Sequence, residues 1–155
     1  MSFDNTTLNP VDRQRIAETL LSLGEAPAPE GDKGVTLIHD AQRIHVLVLE
    51  TVVIVACEHA AEDLEVSEAE PLALAANRFI SGTFSAKAVV RRTPPDAQNP
   101  EAGPVTTLRT EAMLIASPGV TDAQLADALP RMIAEVTAAQ DEVVKDAGAI
   151  MRATS

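Results

Sequence analysis

Between Val35 and Cys57 the chain runs VTLIH, RIHVLVL and VVIVAC, apolar, β-branched segments separated only by the short breaks Asp40-Ala41 and Glu50-Thr51. No other feature narrows the fold as much. β-Branched residues favour the pleated strand and a two-residue break is the length of a hairpin turn, so the stretch predicts a three-stranded antiparallel meander. The second and third segments are apolar at odd and even positions alike, which predicts strands covered on both faces. From Ile44 to Cys57 the apolar run is shorter than a bilayer-spanning helix requires and contains His45 and Glu50, so no membrane span is expected.

Helical signals flank the meander. Asn9 as cap and Pro10 at the first helical position introduce VDRQRIAETLLSLG, with Ile16, Leu20 and Leu23 on one face and Gly24 as a left-handed stop. Residues 25–34, EAPAPEGDKG, read as a solvated connection. Ser67 to Glu70 (SEAE) forms a capping box for a second helix that reaches about Ser81, before Gly82. Its buried stripe is expected to be Leu72, Ala75, Ala76, Phe79 and Ile80, with Leu74 on the opposite side. Residues 83–92 alternate Phe84, Ala86, Ala88 and Val90 against Ser85, Lys87, Val89 and Arg91, a half-buried strand. The Pro-rich residues 93–104 read as a mobile loop, and VTTLRTEAMLIA as a fifth strand closed by Pro118-Gly119. Thr121 to Gln124 (TDAQ) is a second capping box, opening a helix with the stripe Leu125, Leu129, Met132, Ile133, Val136, Ala139 and Val143 that ends near Gly148. Pro130 interrupts it, removing a backbone bond at roughly 3 kcal/mol, so a kink is expected there.

The predicted fold class is α+β: a single two-layer domain over residues 1–155, in the order α-β-β-β-α-β-β-α, with a mainly antiparallel sheet. With 46% hydrophobic residues the chain can bury one continuous core. That core is expected over about residues 9–148, with flexible ends at 1–8 and 149–155.

The stretches VDRQRIAETLLSLG, VTLIHDAQRIHVLVLETVVIVA, LALAANRFISGTFSAKAVVRR and MLIASPGVTDAQLADALPRMIAEV cover most of Val11 to Val136. In this order they resemble the YbjN-like family of small bacterial proteins. The most specific pieces are Asn77-Arg78-Phe79 leading into a strand and Gly119-Val120-Thr121-Asp122-x-Gln124-Leu125 opening the last helix. The resemblance implies the fold of type III secretion chaperones, frequent dimerisation, no known chemistry, and regulatory or chaperone-like roles. Pro130, the loop at 93–104 and the scarcity of aromatics depart from the pattern.

Composition excludes some functions. A formal net charge of −11 repels a phosphate backbone, and only Phe3, Phe79 and Phe84 could stack on bases, so nucleic acid is not an expected partner. The N-terminal MSFDNTTLNP lacks the basic and apolar regions of a signal peptide, and the single cysteine, Cys57, suits a reducing compartment, so a cytoplasmic location is expected.

Catalytic signatures are missing as well. Gly31 to Gly34 (GDKG) leads into a strand and lacks the Lys-Ser/Thr ending of a phosphate loop, and no G-x-S-x-G elbow is present. Cys57, in an apolar strand, reads as an inert packed thiol. The acids Glu58, Glu62, Asp63, Glu65, Glu68 and Glu70 read as a solvated edge. Lys87, Arg91, Arg92 and Arg109 fall on the fourth and fifth strands, where they balance acids such as Glu111 or dock an acidic peptide segment.

Metal binding is the sharpest chemical alternative. With both breaks as two-residue turns, His39 lies opposite Gln42 and Gln42 opposite His59, with Cys57 on the same face. Two imidazoles and a thiolate suit zinc or copper, but the histidines are then about 10 Å apart, twice the strand spacing. No metal, cofactor or catalytic residue is therefore predicted. The functional expectation is a non-enzymatic protein-interaction domain, chaperone-like or a regulatory adaptor, that binds another polypeptide and forms a homodimer. Leu72, Leu74, Ala75 and Phe79 on the second helix are the candidate self-association residues. The alternatives are a small-molecule or metal sensor at His39, Cys57 and His59, and an enzyme with an unrecognised site.

Overall fold

Both predicted turns form, and they set the meander. In the computed structural model, which describes residues 2–64, 68–83 and 85–155, Asp40 and Ala41 have φ of 47° and 64°, the left-handed pair of a tight hairpin turn. They join β2 (Gly34–His39) to β3 (Gln42–Val48) with Val35 opposite Val46, Leu37 opposite Ile44 and His39 opposite Gln42. At the second turn the Leu49 amide donates to the Val52 carbonyl at 2.9 Å, and β4 (Val52–Ala60) returns with Ile44 opposite Cys57 and Leu47 opposite Ile54.

One strand was not expected. Ala28–Glu30, inside the Pro-rich connection, forms β1, antiparallel to β2. It lies at the sheet edge, where Pro27 and Pro29 are tolerated because one side of an edge strand needs no donor.

The first helix, α1 (Arg13–Ser22), starts later than predicted. Asp12, not Asn9, is its cap, and its carboxylate accepts the Arg15 amide at 2.8 Å. Asn9 is instead in an antiparallel bridge, donating to Val120 O at 3.2 Å and accepting from Val120 N at 3.1 Å, which holds it outside the helix. A Cβ on Gly119 would meet the Asn9 carbonyl oxygen at 2.8 Å, so this close approach requires glycine.

Helix α2 (Ala69–Gly82) follows a 3-10 turn at Ala61–Asp63. Ser67, the predicted cap, lies outside the described residues, as does Phe84. Leu72, Ala75 and Ala76 are buried as predicted, Phe79 is half-buried, and Ile80 is exposed rather than buried, because it falls on the edge of the stripe. Strand β5 spans Lys87–Thr93, a 3-10 turn Pro100–Ala102 follows, and β6 spans Val105–Ile115. Helix α3 (Asp122–Thr154) runs through Pro130 without restarting and continues six residues past Gly148. Its capping box forms as predicted: Gln124 N donates to Thr121 Oγ1 at 3.1 Å and Thr121 N to Gln124 Oε1 at 2.9 Å.

The strands form one sheet in the order β1-β2-β3-β4-β6-β5. The fold is α+β, with one strand more than the predicted order. The chain divides into two compact units, residues 1–57 with 111–136, and residues 58–110 with 137–155. In the first unit, Ile16 and Leu20 of α1 and Leu125, Leu129, Met132, Ile133 and Val136 of α3 share a core with Val35, Leu37, Ile44, Val46, Val53, Val55 and Cys57. In the second, Leu72, Ala75 and Ala76 pack with Ala88, Leu108, Val143 and Ala147.

Candidate functional site

The first unit covers only one face of its strands. Burial in β3 alternates, with Ile44, Val46 and Val48 buried while Arg43 and Leu47 are exposed and His45 is half-buried. In β4, Val53, Val55 and Cys57 are buried with Ala56, while Val52 and Ile54 are half-buried. The expected double covering is therefore corrected: both helical segments of this unit lie on the same side of the strands.

The other side is an open apolar face. Ile38 is 61% exposed, Leu47 and Leu49 37% each, Met113 53% and Ile115 73%. Strand alternation puts Leu47, Leu49, Met113 and Ile115 on this side, since Ala112 and Leu114 face the core and turn Met113 and Ile115 of β6 outward. Ile38 stands apart, opposite the exposed Arg43 and four residues along β2 from the Gly34–Leu47 pair. The middle of the face is low, with Gly34 opposite Leu47 and Ala56 opposite His45. His45 Nδ1 lies 2.8 Å from Glu30 Oε2, tying β1 to that face. Exposed apolar groups gathered in one patch, rather than scattered singly, mark a contact surface. The signal is present in the sequence as Leu47, Leu49, Met113 and Ile115 at outward positions, on a sheet that three helices of moderate length are expected to leave partly unshielded.

The other candidate residues fall elsewhere. Leu72 and Ala75 are fully buried in their own core and offer no surface to a second copy. Leu74 is 46% exposed, so the proposed self-association set reduces to Leu74 and the exposed part of Phe79. His39 Nδ1 is 2.8 Å from Glu25 Oε1, and the Cys57 thiol donates to Gln42 Oε1 at 3.2 Å. His59 Nδ1 is 3.3 Å from Gln140 Nε2, whose Oε1 accepts the Thr110 hydroxyl at 3.3 Å. Each group has a local partner, and among the described residues no cluster of three or more His, Cys, Asp or Glu could hold a metal ion. The Arg109 guanidinium donates to Glu58 at 3.2 Å, while Lys87, Arg91 and Arg92 are exposed on β5.

In the second unit, α2 and α3 enclose an open groove of about 440 Å³. Arg78 and Asp146 pair across it at 3.4 Å, and Phe79, Glu142 and Lys145 help line it. None of its described lining residues is a His, Cys or Ser. Among the described residues no helix is long and apolar enough to cross a membrane.

No family model matches the sequence, and no curated protein matches it. A solved structure does: the crystal structure of YbjN from E. coli, a proposed transcription regulator, is similar with a TM-score of 0.67. The match covers 94% of this chain and 97% of that one at 16% sequence identity. The likeness shows a shared fold, in agreement with the resemblance read from the sequence.

Proposed function

We propose that this chain is a non-enzymatic protein-interaction domain of the YbjN-like kind, regulatory or chaperone-like, whose contact surface is the open face of the first unit's strands. The observation that carries the reading is the exposure of Leu47, Leu49, Met113 and Ile115 on one side of a sheet whose other side is packed. A two-layer unit with a bare apolar face gains by adding a third layer. The YbjN description as a proposed regulator is coarse support for a regulatory role.

A photoreactive amino acid at Met113 tests the reading in the living cell. Cross-linking to another polypeptide from position 113, and not from an equivalent probe at Leu74, is the expected result. Cross-links from position 74 alone would move the contact to α2 and restore self-association through that helix as the better reading.

A further inference from the structure

We infer that the open face receives an apolar polypeptide segment flanked by Lys and Arg, rather than a second copy of this chain; this rests on reading that face as the contact surface. Charge selects the partner. The first unit carries twelve Asp and Glu against five Lys and Arg, and the whole chain has a net charge of −11. Acids also border the apolar patch. Glu30 lies in line with Gly34 and Leu47, Glu50 follows Leu49, and Glu111 is two residues from Met113 on the same side of β6. A basic segment is drawn to such a rim, whereas a second acidic chain is repelled by it.

Leu47, Leu49, Met113 and Ile115, exposed to between 37% and 73%, present roughly 400 Å², within the range of functional patches on monomers. The mode is docking onto the face, because Pro27 and Pro29 at the β1 edge cannot supply the amides that an added strand would use.

Two labelled amphipathic peptides of equal length, one of Leu and Lys and one of Leu and Glu, test this by fluorescence anisotropy at low salt. The Leu/Lys peptide is expected to bind saturably at one per chain, and to lose at least about tenfold in affinity in the M113Q/I115Q double variant. Leu47→Gln, on a different strand, should lower affinity in the same direction. Leu74→Gln should leave it unchanged. Equal binding of the Leu/Glu peptide, lost in the same variants, would overturn the basic preference and keep the face as the contact. Binding that ignores all three face substitutions, or no binding of either peptide, would overturn the inference. So would light scattering that shows the free chain as a dimer and M113Q/I115Q as a monomer, since a second copy would then occupy the face.

Discussion

Arg15 is the residue on which most of the first unit's local order converges. Its guanidinium, 14% exposed, donates to Asp122 Oδ1 at 2.7 Å, to Val120 O at 2.7 Å, to Asn9 O at 2.7 Å and to Pro10 O at 3.2 Å. It thus ties α1 to the Asn9–Val120 bridge and to the start of α3. Removing one member of a buried charge pair costs several kcal/mol, and since Asp122 is 44% exposed the expected loss for Arg15→Met is smaller, about 2 kcal/mol in a urea melt with unchanged slope. Arg15→Lys should recover only part of it, because one ammonium cannot reproduce the planar fork. The buried Cys57 should label with a thiol reagent only after denaturant is added. Immediate labelling in native buffer would contradict its 0% exposure. The burial of Cys57 is legible in its strand context, whereas the role of Arg15 is not, because its partners Asn9 and Val120 are far apart in the chain. That distance is also why Asn9 was mistaken for a helix cap.

At the scale of elements, local signals that stay local were legible. The Thr121–Gln124 box, the two hairpin turns and the buried stripe of α2 each depend on neighbours within a few residues. Thr121→Ala should cost about 1 kcal/mol in the same urea melt. What could not be read was set by packing at a distance: β1 exists because β2 offers it an edge, and α3 continues past Gly148 because Ala147, Ile150 and Met151 still pack on the core of the second unit. The same packing explains why Pro130 does not end the helix. It is exposed at the border of the stripe of Leu129, Met132 and Ile133, so its ring meets solvent while those three stay buried. Its missing donor still leaves a helix bond unmade, so Pro130→Ala should stabilise the chain by about 1 to 3 kcal/mol, read as a rise in Tm. A fall in Tm would mean that Pro130 fixes a bend on which the packing depends.

On the scale of the whole molecule, the sequence led to the right fold class and misjudged how its layers are shared. Leu47 and Leu49 alternate outward as ordinary half-buried strand positions would, and only the placement of α1 and α3 on one side leaves them bare. The central claim is that this bare side is where a partner binds. Methyl NMR of the chain labelled at its methionines tests it most directly, because Met113 is 53% exposed on the open face, Met132 is 4% exposed in the core of the first unit and Met151 packs in the second. On titration with the Leu/Lys peptide, the Met113 resonance should shift to saturation while those of Met132 and Met151 stay in place. A stationary Met113 with a moving Met151 would contradict the account and place the contact in the second unit.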